Sequence, residues 1–196
     1  MKVLGITGGI GSGKSVVSRL MEVMGIPVYV ADIESKSLLD SCDELKFSLT
    51  EAFGSQIYKN GCIDRRVFAS IIFGDAEKLD KANSIIHPFV RQHFFDWVQK
   101  QQEAGKNLVA TEAAILYESG FDQFVDKVIL VYAPQQTRIA RVARRDNVTR
   151  DEVMARIRNQ MPDEDKIQKA DFVVCNDGTQ SVICQIETVV AEVMRQ

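Results

Sequence analysis

The residues that can do chemistry come first in this chain, at Gly8-Gly9-Ile10-Gly11-Ser12-Gly13-Lys14-Ser15. An apolar run, Val3-Leu4-Gly5-Ile6, precedes them and an amphipathic run, Val16 to Met24, follows. That is the G-x-x-x-x-G-K-[ST] phosphate loop in the setting it requires: buried strand, tight turn, helix. Glycine lets the backbone curl closely round phosphate oxygens, and the helix beginning near Lys14 adds the positive end of its dipole. Lys14 is expected on the β- and γ-phosphates and the Ser15 hydroxyl on a magnesium ion. A nucleoside triphosphate is therefore the expected ligand.

A second candidate is Asp32, which follows the short apolar run Val28-Tyr29-Val30. Strand, helix and strand within thirty residues make a βαβ unit, and parallel sheets bind ligands at the carboxyl ends of their strands. An aspartate there can take the proton from a hydroxyl that attacks the γ-phosphate. It equally fits as the cap of a helix beginning at Ile33, and the two roles are compatible. A third is the stretch Arg138 to Arg158, where seven arginines against three acids leave +4 in a chain of net charge −3. Arg138, Arg141 and Arg145 share a helical face, which could close over the phosphates as a lid. Any one of them alone reads as a solvated charge.

Other residues carry weaker signals. Glu112 and Glu118 follow the third strand, where they could hold magnesium through water or orient an acceptor. Loop surface charge fits them as well, and Thr111-Glu112 stands where a Walker-B aspartate is usual. His87 reads as a packed or capping histidine, with contact to an anionic substrate possible where Pro88 opens the helix. Arg65 and Arg66 could bind an anionic acceptor and singly read as surface. Trp97, Phe94 and Phe95 read as core. Asn176-Asp177-Gly178 is a turn at the ligand edge of the sheet. It lacks the N-K-x-D pattern that selects guanine, which favours adenine.

The elements that position these groups follow from patterning. Strands are expected at Val3–Ile6, Val28–Val30, Asn107–Thr111, Val128–Tyr132 and Phe172–Cys175. From Ile33 to Lys106 no strand signal remains. Helices are expected from Glu44 to Phe53, from Asp64 to Phe73, and from Asp75, with Leu79, Ala82, Ile86, Phe89, Val90, Phe94 and Val98 at helical spacing and Pro88 ending or kinking it near His87. So long a helical run reads as an inserted acceptor subdomain. Helices are also expected over Gln135–Arg145, from a Thr149–Glu152 capping box to about Gln160, and over Ser181–Arg195.

With 196 residues, 45% hydrophobic, one sizeable core with an insertion is affordable in surface terms. The net charge of −3 argues against a general nucleic-acid binder. The four cysteines show neither C-x-x-C pairing nor zinc spacing, in keeping with reduced structural thiols. The first strand starts at once, leaving no room for a signal peptide, and no apolar run reaches bilayer length. A cytoplasmic location is expected.

Taken in order, these residues resemble the dephospho-CoA kinase family over nearly the full length. The matching pieces are Thr7 to Ser15, Ala31-Asp32, Asp64-Arg65-Arg66, His87-Pro88 and Leu116-Tyr117-Glu118-Ser119-Gly120. They continue with Arg141, Arg145-Asp146, Gln160, Ala170-Asp171, Asn176 and Gly178. The resemblance implies an α/β, three-layer P-loop kinase fold with a five-stranded parallel sheet, an inserted helical substrate domain and a short helical lid. The implied limits are 1–32, 107–137 and 166–196 for the nucleotide core, 33–106 for the acceptor domain and 138–165 for the lid. ATP would phosphorylate the ribose 3′-hydroxyl of dephospho-CoA, with Mg2+. Asp32, Lys14 and Arg141 would be catalytic, and Ser15 would serve the metal. Gly9, Gly11, Ser12, Gly13, Lys14, Ser15, Val16, Arg141, Asn176 and Gly178 would bind ATP; Asp32, Arg65, His87 and Glu118 would bind the acceptor. Partners would be small molecules only, without nucleic acid or membrane, for a monomer or weak homo-oligomer.

Three departures stand out. The family often reads Asp-Ala-Asp where this chain has Val30-Ala31-Asp32, Pro-Leu-Leu where it has Ala114-Ile115-Leu116, and threonine where it has Val16. The remaining alternatives are a P-loop kinase of another small metabolite or nucleoside monophosphate, and a nucleotide-dependent switch. No clear switch threonine and water-positioning glutamine support the latter.

Overall fold

The computed structural model describes residues 1–195. In chain order the elements are β1 (Lys2–Thr7), α1 (Lys14–Val23), β2 (Val28–Val30), α2 (Ala31–Ser41), α3 (Asp43–Phe53), β3 (Tyr58–Lys59), β4 (Cys62–Ile63), α4 (Arg65–Ile72) and α5 (Ala76–Glu103). They continue as β5 (Leu108–Glu112), β6 (Lys127–Tyr132), α6 (Gln135–Asp146), α7 (Arg150–Arg158), α8 (Asp163–Lys169), β7 (Phe172–Cys175) and α9 (Val182–Arg195). Two compact units result: residues 1–30 with the chain from Gln101 onward, and Ala31–Lys100.

The first unit is built on a five-stranded, all-parallel sheet of order β2-β5-β1-β6-β7. Its apolar runs are near-continuous, as strands covered on both faces require. Leu4, Ile6, Ala110, Ile129, Val131 and Val174 form one face of the core with Val17 and Met21 of α1 and Ile186, Val189 and Val193 of α9. β5 and β6 flank β1 on opposite sides, so the strand order reverses at β1 and the loop leaving it lies at the ligand-binding end. α1 stops at a glycine. Gly25 sits at φ +80°, donating to Glu22 O at 2.9 Å, and Ile26 donates to Met21 O at 2.9 Å, a Schellman ending.

The second unit is helical around Leu39, Leu45, Leu49, Ile57, Ile63, Phe68, Ile72 and Ala82. Two expectations are corrected here. β3 and β4 pair antiparallel where no strand was expected. They are joined by Asn60-Gly61, both at positive φ, the residues a two-residue hairpin turn favours. And of the end or kink expected at Pro88, the end does not occur: α5 runs 28 residues through it, as the apolar spacing out to Val98 allows. An interior proline costs about 3 kcal/mol, and burial of Ala82, Val90 and Phe94 offsets it. Of the aromatic trio only Phe94 is fully buried, with Trp97 stacked on it at 6.4 Å between ring centres and Phe95 40% exposed.

α8 was also missed: its 7 residues open with three acids and end on Lys169, a charge order that suits the helix dipole and shows no apolar period. Asp64, Asp75 and Thr149 cap their helices as their positions predict. Among the described residues no helix is long and apolar enough to cross a membrane.

Candidate active site

The loop between β1 and α1 is shaped by its glycines. Gly11 and Gly13 have φ of +80° and +96°, and a Cβ on them would come within 2.6 Å of Arg138 O and 2.1 Å of Asn176 Nδ2. Only glycine satisfies both the dihedral and the close approach. Gly13 caps α1 without a side-chain bond, the first turn of α1 has no acid, and Val16 N–H donates only to Gly13 O, at 3.0 Å, so no side chain caps this helix start. Such an uncapped N-terminus is an anion site. Lys14 Nζ donates to Gly8 O at 2.8 Å, folded against the loop. Ser12 is buried with its hydroxyl unbonded among the described residues, while Ser15 and Val16 are exposed on the first turn. The unbonded Ser12 hydroxyl and a helix start with no side-chain cap together fit an oxyanion ligand.

Groups from far along the chain hold this loop. Asn176 donates from Nδ2 to Ser12 O at 2.9 Å, and Arg141 donates to Asn176 O at 2.9 Å with Nη1 3.5 Å from Gly11 O and Ser12 O. Gly178, at φ +92°, completes the turn after β7. Arg138 is only 3% exposed, pairs with Asp163, and donates from Nε to Ala133 O at 3.1 Å. The expected face of Arg138, Arg141 and Arg145 therefore divides: the first two grip the loop, and the third pairs with Asp146 at 2.7 Å in solvent. Gln160 accepts from Ile10 N–H at 2.9 Å. Spacing alone signalled neither this bond nor the partners of Arg138, since both join distant segments.

Glu112 ends β5 and accepts from Ser18 Oγ at 2.5 Å. Glu118 Oε1 accepts from Met161 N–H at 2.8 Å and lies 3.1 Å from Nζ of the fully buried Lys166. Burial alone would raise the Glu118 carboxyl; the bond from Met161 and the Lys166 ammonium outweigh it and hold the group below its ordinary value.

Within the helical unit, Asp32 is the second residue of α2, exposed, and not the residue before the helix. Its carboxylate sits where the dipole favours a negative charge. Arg65 opens α4 with Nη2 3.5 Å from Asp40 Oδ2, and Asp40 Oδ1 accepts from Ile63 N–H at 2.8 Å. Asp40 and Arg65 line an open depression of about 540 Å³ with Lys59, Asn60, Cys62 and Asp64. Tyr58 donates to Leu39 O at 3.1 Å, and its hydroxyl is pushed up to about 12 by burial, then by Asp40 and Cys42. His87 is half-buried in α5, and burial lowers its pKa.

The family model for dephospho-CoA kinase matches residues 2–181. A Bacteroides fragilis dephospho-CoA kinase is 42% identical over 188 residues, covering 96% of this chain and 91% of that one. One from Salinibacter ruber is 38% identical over 180 residues, covering 91% and 90%. Among solved structures, a Thermus thermophilus protein superposes with TM-score 0.85 at 33% identity over 97% of each chain. Dephospho-CoA kinase from Campylobacter jejuni follows with TM-score 0.72, 25% identity, and coverage of 100% and 98%. Shikimate kinase from Acinetobacter baumannii, at TM-score 0.54 and 13% identity over 100% and 94%, shares the fold alone. A phosphate loop gripped from both sides is common to many kinases, but similarity along almost the entire sequence is not, and it follows that the chain belongs to the dephospho-CoA kinase family.

Proposed function

We propose that the chain transfers the γ-phosphoryl group of ATP to the ribose 3′-hydroxyl of dephospho-CoA, giving ADP and CoA. The observation that carries the reading is the uncapped start of α1 beside the loop at Gly8–Ser15, in a chain of this family. In the reaction the 3′-oxygen forms a bond to the γ-phosphorus, and the bond from that phosphorus to the β,γ-bridging oxygen breaks. Asp32 takes the hydroxyl proton as general base and later releases it to water. Exposure on the first turn of α2 leaves it accessible to a substrate. Gly9, Gly11, Ser12 and Gly13 present the loop to the phosphates, Lys14 reaches the terminal ones, and Val16 borders them at the start of α1.

The Ser15 hydroxyl is available for Mg2+, which keeps most of its shell as water and substrate phosphate and needs no cage of carboxylates. Mg2+ would neutralise charge on the β- and γ-phosphates. Residues 138–165 form the lid, from which Arg141 stabilises charge on the transferring group. Adenine lies against the Asn176–Gly178 turn. Arg65 and His87 are acceptor-side, since the depression beside Arg65 offers a cation to an anionic group. Small molecules are thus the partners of a cytoplasmic enzyme, and the net charge of −3 supports no nucleic-acid role.

The test is ADP release by the purified chain with Mg2+ and ATP, run with dephospho-CoA, with nucleoside monophosphates, and with no acceptor. ADP forming in step with CoA, and only with dephospho-CoA, is the expected result. Equal ADP formation without an acceptor, or preference for a monophosphate, overturns it.

A further inference from the structure

A phosphate loop binds well only if its peptide groups are already oriented when the ligand arrives. Glycines make that difficult, because a run of them has many backbone states. Ile10 is the one large side chain between Gly8 and Gly13, and three separate contacts hold it. Its N–H donates to Gln160 Oε1 at 2.9 Å, and its carbonyl lies 3.5 Å from Arg138 Nη1. Its side chain packs against Ile139, Val142 and Val153 of α6 and α7.

The segment that supplies Gln160 is itself tied down. Met161, the next residue, donates to Glu118 Oε1, and the same oxygen pairs with buried Lys166. Asp163 pairs with Arg138, whose guanidinium lies so close over Gly9 that a Cβ there would meet Nη1 at 1.9 Å. Residues 160–166 thus form a strap behind the loop, anchored at Glu118 and Lys166 and gripping at Gln160 and Arg138.

We propose that Gln160 is a positioning residue for the phosphate loop, and that Glu118 serves the same end by anchoring the strap and does not contact the acceptor. The proposal rests on reading the loop as a kinase's nucleotide site. Without the Gln160 oxygen, the Ile10 N–H loses its acceptor and the peptide unit between Gly9 and Ile10 is held less firmly. Phosphate binding weakens while acceptor binding does not.

The test uses ADP as the probe, titrated calorimetrically, so that it reads the loop whichever acceptor is phosphorylated. KM for ATP and for dephospho-CoA and the melting temperature are measured alongside. Gln160→Met, of similar length without the acceptor oxygen, is expected to weaken ADP binding and raise KM for ATP about fivefold, the worth of one hydrogen bond. KM for dephospho-CoA should stay within about twofold, and Gln160→Glu, which keeps an oxygen, should recover most of the loss. The pair Glu118→Leu with Lys166→Met removes both charges together and so leaves no unpaired buried ion. It should weaken ADP binding about threefold with KM for dephospho-CoA unchanged. Unaltered ADP affinity in Gln160→Met, or a tenfold-order rise in KM for dephospho-CoA with ADP affinity kept in the Glu118 pair, overturns the proposal. If the wild-type chain binds ADP but does not phosphorylate dephospho-CoA, the functional reading fails while the strap remains tested.

Discussion

The phosphate loop and the groups around Arg65 are both polar clusters, but they are assembled in opposite ways. Ile10 is held from 128 and 150 positions away and Ser12 from 164. Arg65 stands in a cluster made nearby: Asp64 caps Arg66 and Val67, 2 and 3 residues on, and Asp40 reaches Ile63 across 23. The loop is therefore held by segments from the far end of the chain, whereas the Arg65 cluster needs only its own helix start, the hairpin and the end of α2. Glycine-rich backbone cannot hold itself, so its order is imported from α6, the strap and the turn after β7. Helix starts with an aspartate cap supply their own order.

The largest expected effect separates chemistry from loop order. Asp32→Asn should lower kcat by about 10²–10⁴-fold, the range of a lost general base. ADP affinity should be unchanged, since the bonds from Gln160, Arg138, Arg141 and Asn176 that hold the loop are left in place. Steady-state kinetics beside ADP titration checks both, and near-wild-type kcat would remove Asp32 from the role.

The imported order is broken next by Asp163→Ala, which leaves the buried Arg138 guanidinium unpaired. We expect a loss of about 3–5 kcal/mol in denaturant unfolding, the cost of breaking a buried ion pair from one side. A loss below about 1 kcal/mol, as for an exposed pair, would show that the loop does not depend on that contact.

The local order is milder to break. Asp64→Ala should cost about 1 kcal/mol through the lost cap of α4, read from the denaturation midpoint, with ADP affinity intact. A change in ADP affinity would mean that the order of the Arg65 cluster also bears on the loop.

The smallest effect is one of pH. Burial lowers the pKa of His87, so below its ordinary 6.5 the unfolded chain takes up a proton that the folded chain resists. Stability present above that value is lost as pH falls through the folded pKa. Melting temperature followed into mild acid should fall less steeply in His87→Gln than in the wild type.

Much of this was legible beforehand, and the particular residues show why. Strands of a parallel sheet announce themselves as unbroken apolar runs, as Val128–Tyr132 does. Caps such as Asp64 and Thr149 act within three residues, so their partners are visible in the sequence. The β3–β4 hairpin was legible in Asn60-Gly61 and passed over, because two-residue strands carry no periodicity. The continuation of α5 through Pro88 was legible only in part: Phe89, Val90, Phe94 and Val98 keep the helical spacing beyond it, but burial of residues on both sides decided that the local penalty would not end the helix.

Sequence alone determined the phosphate loop, its strand and helix, and the five apolar strands of the sheet, because each is set by residue types within one or two turns of chain. Tertiary structure alone decided which arginines stay in solvent, that Gln160 reaches Ile10, and that Glu118 pairs with Lys166. Those are meetings of segments tens to more than a hundred positions apart, and nothing in the local pattern of either partner encodes where the other will lie.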